Sequence, residues 1–181
     1  KFDVFCLSRG GAKGFDKTNE SDRRTEVLEV WDYVKCNNIK LNFFADCEYL
    51  EDKTEPEWIN YIERQLLNNA DYDCIFIPPQ KDSMYEHRFV NKFGNALVRK
   101  DAISLVEYNT PSTLNSWKPN VFTDISHFYS KKIKALNKFE SQNSKSYFTK
   151  DTLDSFHSNF QCRKRGRKIV EQFKILEIFG E

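Results

Sequence analysis

Short apolar runs alternate with helical spacing over most of this chain, and the alternation predicts the elements. A buried strand is expected at residues 2–7. A helix follows over 21–37, with Val27, Val30, Trp31 and Val34 on one face. A second strand covers 39–44. Thr54 and Glu57 have the spacing of a capping box, and Trp58, Ile59, Tyr61, Ile62 and Leu66 carry a helix from there to 70. Further strands are predicted at 72–78, 102–108 and 121–125, with a helix over 87–99 between the first two. Helices over 126–142 and 150–166 and a closing strand at 173–179 complete the pattern. Strand-helix-strand units of this kind point to an α/β fold, a Rossmann-like three-layer sandwich with a mainly parallel sheet. In such a sheet the reactive groups gather at the carboxyl ends of strands, so the loops after Leu7, Phe44, Pro78 and Tyr108 are the places to inspect.

Composition narrows the class. The chain has 181 residues, enough for one full domain, and neither repeats nor a Pro/Gly-rich linker divide it. Lys and Arg number 28 against 27 Asp and Glu, so no global field points to nucleic acid or an anionic membrane. No apolar run approaches the roughly 20 residues that cross a bilayer, and the first residues lack the form of a signal peptide, so a cytoplasmic setting is expected. Cys6, Cys36, Cys47, Cys74 and Cys162 show no Cys-x-x-Cys spacing and are odd in number, which argues for reduced thiols. Met84 is the only methionine and position 1 is Lys, so a further segment is expected upstream.

Several groups carry candidate chemistry. The loop with Gly10, Gly11 and Gly14 has glycines that could let backbone amides approach an anion, but Phe15 follows Gly14 where a phosphate loop needs Lys, and the dinucleotide spacing is absent. A flexible connection is the favoured reading. Asp82-Ser-Met-Tyr-Glu86-His87-Arg88 crowds two carboxylates and an imidazole between a buried strand and the first turn of a helix. Neutral imidazole binds zinc, and a neighbouring carboxylate can fix its tautomer. On spacing alone, helix capping by Asp82 with Glu86 and His87 solvated is the more ordinary reading. His127 and His157 lack partners at ligand spacing and are read as structural or surface residues. Arg23 and Arg24, near the first loop, could clamp a phosphate or carboxylate, although surface charge is the default. The basic run Arg163–Lys168 has no interleaved aromatics and reads as a solvated helix end.

The order of these segments resembles the LmbE-like family, which includes the de-N-acetylase acting on N-acetylglucosaminyl-phosphatidylinositol. Arg23-Arg-Thr-Glu26 looks like the family's Arg-x-x-Glu helix, and Phe43-Phe-Ala-Asp46 like the strand end after it. Phe76-Ile-Pro-Pro79 leads into Asp82-Ser-Met-Tyr-Glu-His-Arg88, similar to the family's Asp-x-(His or Asn)-x-Asp-His-Arg. Val106-Glu-Tyr-Asn-Thr-Pro111, Lys118-Pro-Asn-Val-Phe-Thr-Asp-Ile-Ser126, Lys131-Lys-Ile-Lys-Ala-Leu136, Ser141-Gln142 and Val170-Glu-Gln-Phe173 follow in the family's order.

The resemblance implies one deacetylase domain over 1–181 without the family's N-terminal strand, which bears a His-Pro-Asp-Asp-Glu motif supplying two metal ligands and the base. It implies a zinc-dependent hydrolase that removes an acetyl group from an N-acetylated amino sugar or related small molecule. His87 then corresponds to a zinc ligand, Asp82 and Glu86 to acidic positions around it, and Arg23 to a substrate contact; the catalytic base is expected upstream of Lys1. Met84 stands where the family often has His or Asn, and Glu86 where it has Asp. A non-catalytic relative, acting as a binding or structural module, is the alternative. A sugar or other small molecule is the expected partner, with no nucleic acid and no transmembrane segment; a homo-oligomer is compatible with everything in the sequence.

Overall fold

The computed structural model describes residues 1–8, 20–36, 38–43, 49–65, 71–98, 103–158 and 169–179. The glycine loop, the basic run Arg163–Lys168, Phe44, Asp46, Cys47, Cys162 and the expected end of the second helix lie outside these residues. The chain forms two compact units, one from 1–52 with 125–158 and the other from 53–124 with 159–181.

In the first unit, β1 (Phe2–Cys6) pairs in parallel with β2 (Ile39–Phe43), from Phe2 opposite Ile39 to Cys6 opposite Phe43. Parallel neighbours need a crossover, and α1 (Glu20–Val34) lies between them in the chain. Lys35, at φ 51, takes the left-handed conformation that commonly ends a helix. The segment expected as one helix over 126–142 instead holds α4 (Tyr129–Leu136) and a 3-10 turn (Glu140–Gln142), and α5 spans Lys150–His157. The Thr149 hydroxyl caps α5 by accepting from the Thr152 amide. Val30, Leu50, Ala135 and Leu153 are buried here. So is His157, whose ring meets those of Tyr129 and Phe156 edge-on; His127 is exposed, two residues before α4.

The second unit contains α2 (Glu55–Gln65), β3 (Cys74–Ile77), α3 (Tyr85–Leu97), β4 (Ser104–Tyr108), β5 (Val121–Asp124) and β6 (Val170–Glu177). The capping box is visible in Glu57, whose carboxylate accepts from both the amide and the hydroxyl of Thr54 at 2.7 Å. Trp58, fully buried, stacks on Phe93 of α3 at 6.1 Å, and this contact joins the two helices. Gly94 lets α3 approach β3: a Cβ there would lie 2.7 Å from Cγ2 of Ile77. Ile77, Val98, Ile103 and Leu105 form the core beneath, with Ile75 and Leu176 packed against it.

The sheet order is β3-β4-β6-β5, in which β3 and β4 are parallel while β6 runs antiparallel to both β4 and β5. The α/β class expected from the sequence holds, but this sheet is mixed rather than mainly parallel. The α3 crossover enforces parallel pairing between β3 and β4. No helix separates β4 from β5, and β6 arrives after the chain has passed through the other unit, so the crossover rule does not set its direction. No helix among the described residues is long and apolar enough to cross a membrane.

Candidate functional site

The loops that follow β3 and β4 leave the same end of two parallel neighbours, and backbone bonds hold them side by side. Ser83 N–H donates to Ser112 O and Leu114 N–H to Lys81 O, both at 2.9 Å, with Asp82 bridged antiparallel to Thr113. Arg88, one turn into α3, donates from Nη1 to the carbonyls of Asp82 and Ser83 at 2.7 and 2.8 Å. The main chain on which the Asp82 side chain stands is therefore fixed from two directions.

That side chain is completely buried and collects donors. Oδ1 accepts the Met84 amide at 2.8 Å; Oδ2 accepts the Thr110 hydroxyl at 2.6 Å and lies 3.0 Å from His87 Nδ1. Burial pushes the carboxyl upward, but hydrogen bonds from Thr110, His87, the Met84 amide and Ser112 outweigh it, and the group is held below its ordinary value. Its charge is felt nearby: burial, and then the Asp82 carboxylate, push the Tyr108 phenol up to about 12.

The capping reading of Asp82 is thus only partly right. It binds the Met84 amide as an Asx turn does, but Met84 is itself the N-cap residue of α3, without a side-chain cap bond. The rest of the Asp82 carboxylate faces His87 and Thr110. The His87 side chain is 29% exposed, and its Nε2 bonds no described residue. Glu86 is half-buried in the first turn of α3, where its charge favours the helix dipole.

A second buried carboxylate braces the same loops. Glu107, on β4, accepts from the Gln80 amide at 2.9 Å, Asn91 Nδ2 at 3.0 Å and Trp117 Nε1 at 2.7 Å, with Lys174 Nζ at 3.9 Å. Asn91 also donates to Pro78 O at 2.9 Å. These groups tie the end of β3, the buried side of α3 and the loop after β4 into one polar network.

Within one unit, then, Asp82 and His87 are in contact, with Glu86 next to His87 in the first turn of α3. Arg23 lies half-buried on α1 of the first unit, beside Arg24, whose guanidinium sits 4.7 Å above the Phe43 ring. Sequence reasoning missed Thr110, Ser112, Glu107 and Asn91 as parts of the site. The signal was present: the loop after Tyr108 was one of four singled out, and it packs three hydroxyl residues into four positions. Among the described residues, no group of three or more His, Cys, Asp or Glu converges as a metal site would require; His87 supplies one imidazole donor. Cys6, Cys36 and Cys74 are free thiols, Cys36 exposed.

No protein-family model matches the sequence, and no curated protein does either. Solved structures do. A conserved protein of Thermus thermophilus, TT1542, superposes with a TM-score of 0.67 at 17% identity, covering 99% of this chain and 83% of that one. The N,N'-diacetylchitobiose deacetylase of Pyrococcus horikoshii gives 0.66 at 17% identity, covering 96% and 72%. GalB, the 4-carboxy-2-hydroxymuconate hydratase of Pseudomonas putida, gives 0.61 at 16% identity, covering 99% and 85%. The fold is that of the LmbE-like proteins, in agreement with the resemblance read from the sequence. At such identities the likeness speaks for the fold. A hydratase and a deacetylase share it, so the reaction has to be argued from the site.

Proposed function

We propose that this chain belongs to a zinc-dependent hydrolase that removes an acetyl group from an N-acetylated amino sugar or a related small molecule, with residues 1–181 forming one Rossmann-like domain of a cytoplasmic enzyme. The observation that carries this reading is the Asp82–His87 contact at the carboxyl end of β3, in a chain with this fold. A buried carboxylate bonded to one ring nitrogen of a half-exposed histidine is the usual support of a zinc-ligating imidazole.

His87 fits as one ligand, through Nε2. When bound, the ion would polarise the acetyl carbonyl and acidify water, the two things amide hydrolysis needs at neutral pH. The chain's own residues do the rest of what can be assigned. Asp82 orients the imidazole, Arg88 and Glu107 hold the loops beneath it, and Glu86 is assigned to the acidic position beside the ligand, as the family resemblance implies. Arg23 is assigned to the substrate beyond its acetyl group, as the family resemblance implies.

The alternative, a non-catalytic binding module with the same fold, draws on two observations: the described residues supply a single imidazole donor, and Met84 stands where the family often carries a polar residue. Zinc content and acetate release from an N-acetylglucosamine derivative, measured on the full gene product and on its His87→Ala variant, separate the two. The enzyme reading expects about one zinc per chain and acetate release, both lost in the variant. Equal zinc in the two proteins removes His87 from the site, and neither zinc nor acetate release in the parent establishes the binding module.

A further inference from the structure

The brace under the site uses only part of its arginine. Both bonds from Arg88, to the carbonyls of Asp82 and Ser83, leave from one nitrogen, Nη1, at 2.7 and 2.8 Å. Nη1 lies on the side of the guanidinium away from Nε–H, and its two hydrogens are engaged by the two carbonyls. On the other edge Nε–H and Nη2–H point outward in parallel, the fork that matches two oxygens of a carboxylate or phosphate. A lysine ammonium could brace the same carbonyls; the second edge is what the guanidinium adds.

No acidic group among the described residues takes that edge. Arg88 is half-buried and forms no ion pair among them. Asp82 turns its carboxylate to the Met84 amide, Thr110 and His87, and Glu107 turns its own to Gln80, Asn91 and Trp117. Glu86 is two positions away on α3, and side chains at that spacing do not face each other. A partly desolvated cation is held at a cost that a bound anion offsets. Access is open, since the bond to Ser83 lies at the exposed surface. Asp82 also links this edge to the site: its carbonyl takes Arg88 and its carboxylate takes His87, so guanidinium and imidazole stand at either end of one residue.

We propose that the Nε–Nη2 edge of Arg88 binds an anionic substituent, a carboxylate or phosphate, on the molecule that His87 engages. The identity of that molecule rests on the deacetylase reading, under which the substrate is an acidic N-acetylated amino sugar rather than a neutral one.

Two measurements on the full gene product test this. The 15N signal of Arg88 Nε, assigned by its loss in Arg88→Lys, is followed during titration with N-acetylglucosamine 1-phosphate, N-acetylglucosaminuronate, neutral methyl N-acetylglucosaminide and inorganic phosphate. One acidic sugar should shift the signal and bind on the order of 10–100-fold more tightly than the neutral one, and which of the two does so tells phosphate from carboxylate. Acetate release from the same three sugars should show a matching preference in kcat/KM, lost in Arg88→Lys, which keeps the charge but has no fork. No shift with either acidic sugar, equal binding of acidic and neutral sugars, or an equal response to inorganic phosphate alone overturns the proposal, as does a folded Arg88→Lys with the full preference. The expected shift and binding preference without acetate release would leave the anion site standing and remove only the deacetylase reading.

Discussion

Two carboxylates that look alike in the sequence, Glu26 and Asp82, serve different ends. Each belongs to a short motif with an arginine close by, and each is buried. Glu26, on α1, accepts the Ser141 amide at 2.6 Å and the Ser141 hydroxyl at 2.8 Å, so its two oxygens fasten the 3-10 turn Glu140–Gln142 to the helix. Asp82 takes an amide and a hydroxyl in the same way, but adds a half-exposed histidine. A carboxylate whose partners are all structural ends in the fold, whereas one that also holds a titratable ring reaches toward solvent and can serve chemistry. Burial and motif do not separate the cases; the identity of the last partner does.

The comparison breaks first at Glu107, the carboxylate under the site. Replacing it with alanine leaves the Gln80 amide, Asn91 Nδ2 and Trp117 Nε1 without their acceptor, and breaking such a buried charged network costs on the order of 3–5 kcal/mol. Urea unfolding of Glu107→Ala should show this loss. A cost within the range of a single neutral hydrogen bond, about 1 kcal/mol, would mean that the loops are held by their backbone pairing alone.

Asp82→Asn comes next, at about 1.5–3 kcal/mol near neutral pH, the range for hydrogen bonds to a charged group. Its pH dependence has a definite sign. The folded-state value lies below the unfolded one, so the stabilisation is complete above about 3.9 and is lost as pH falls through the lower, folded-state value. Melting temperatures of wild type and Asp82→Asn should therefore converge on acidification below about 4. A gap that stays constant down to the lowest pH at which both fold would show that Asp82 is not held below its ordinary value.

What could be read beforehand follows the range of the interactions. Strand and helix starts came out within a few residues because periodicity is local, although the helix expected over 150–166 ends at His157, and the resemblance placed Asp82, Glu86 and His87 in one motif because they are five residues apart or fewer. Thr110 is 28 residues from the carboxylate it bonds and Ser141 is 115 from Glu26, so their parts depend on which strand neighbours which. Strand order was not legible for the same reason: nothing in the hydrophobic pattern of 170–177 states that β6 will insert antiparallel between β4 and β5. The helix expected over 126–142 is broken after Leu136, where Asn137 caps α4 and the chain turns to bring Ser141 to Glu26.

Glu26→Gln sharpens the comparison from the other side. The amide oxygen can keep one of the two bonds from Ser141, so a loss of roughly 1–2 kcal/mol is expected, below that of Asp82→Asn. The informative readout is zinc: affinity measured by titration with the metal alone should match wild type, because the Glu26 carboxylate is engaged by Ser141 and holds no imidazole. A fall in zinc affinity comparable to that of Asp82→Asn would erase the distinction between the two carboxylates.

The smallest effect belongs to Lys131, whose ammonium donates to the carbonyl of Val34 at 2.7 Å. That carbonyl is among those a helix leaves unpaired at its C-terminus, and the negative end of the α1 dipole lies there as well. A cation at such a place contributes about 0.3–1 kcal/mol when exposed. Lys131→Met, which keeps most of the aliphatic stem, should lose this much at low ionic strength. The interaction is exposed and therefore open to screening: at 1 M salt the Debye length is about 3 Å, and the stability difference from wild type should shrink toward zero. The Asp82 contribution is sealed from solvent and should change far less over the same salt range. Parallel unfolding series for Lys131→Met and Asp82→Asn at low and high salt thus set an exposed helix tie against a buried one, and equal salt dependence in the two would show that the Asp82 network is reached by water.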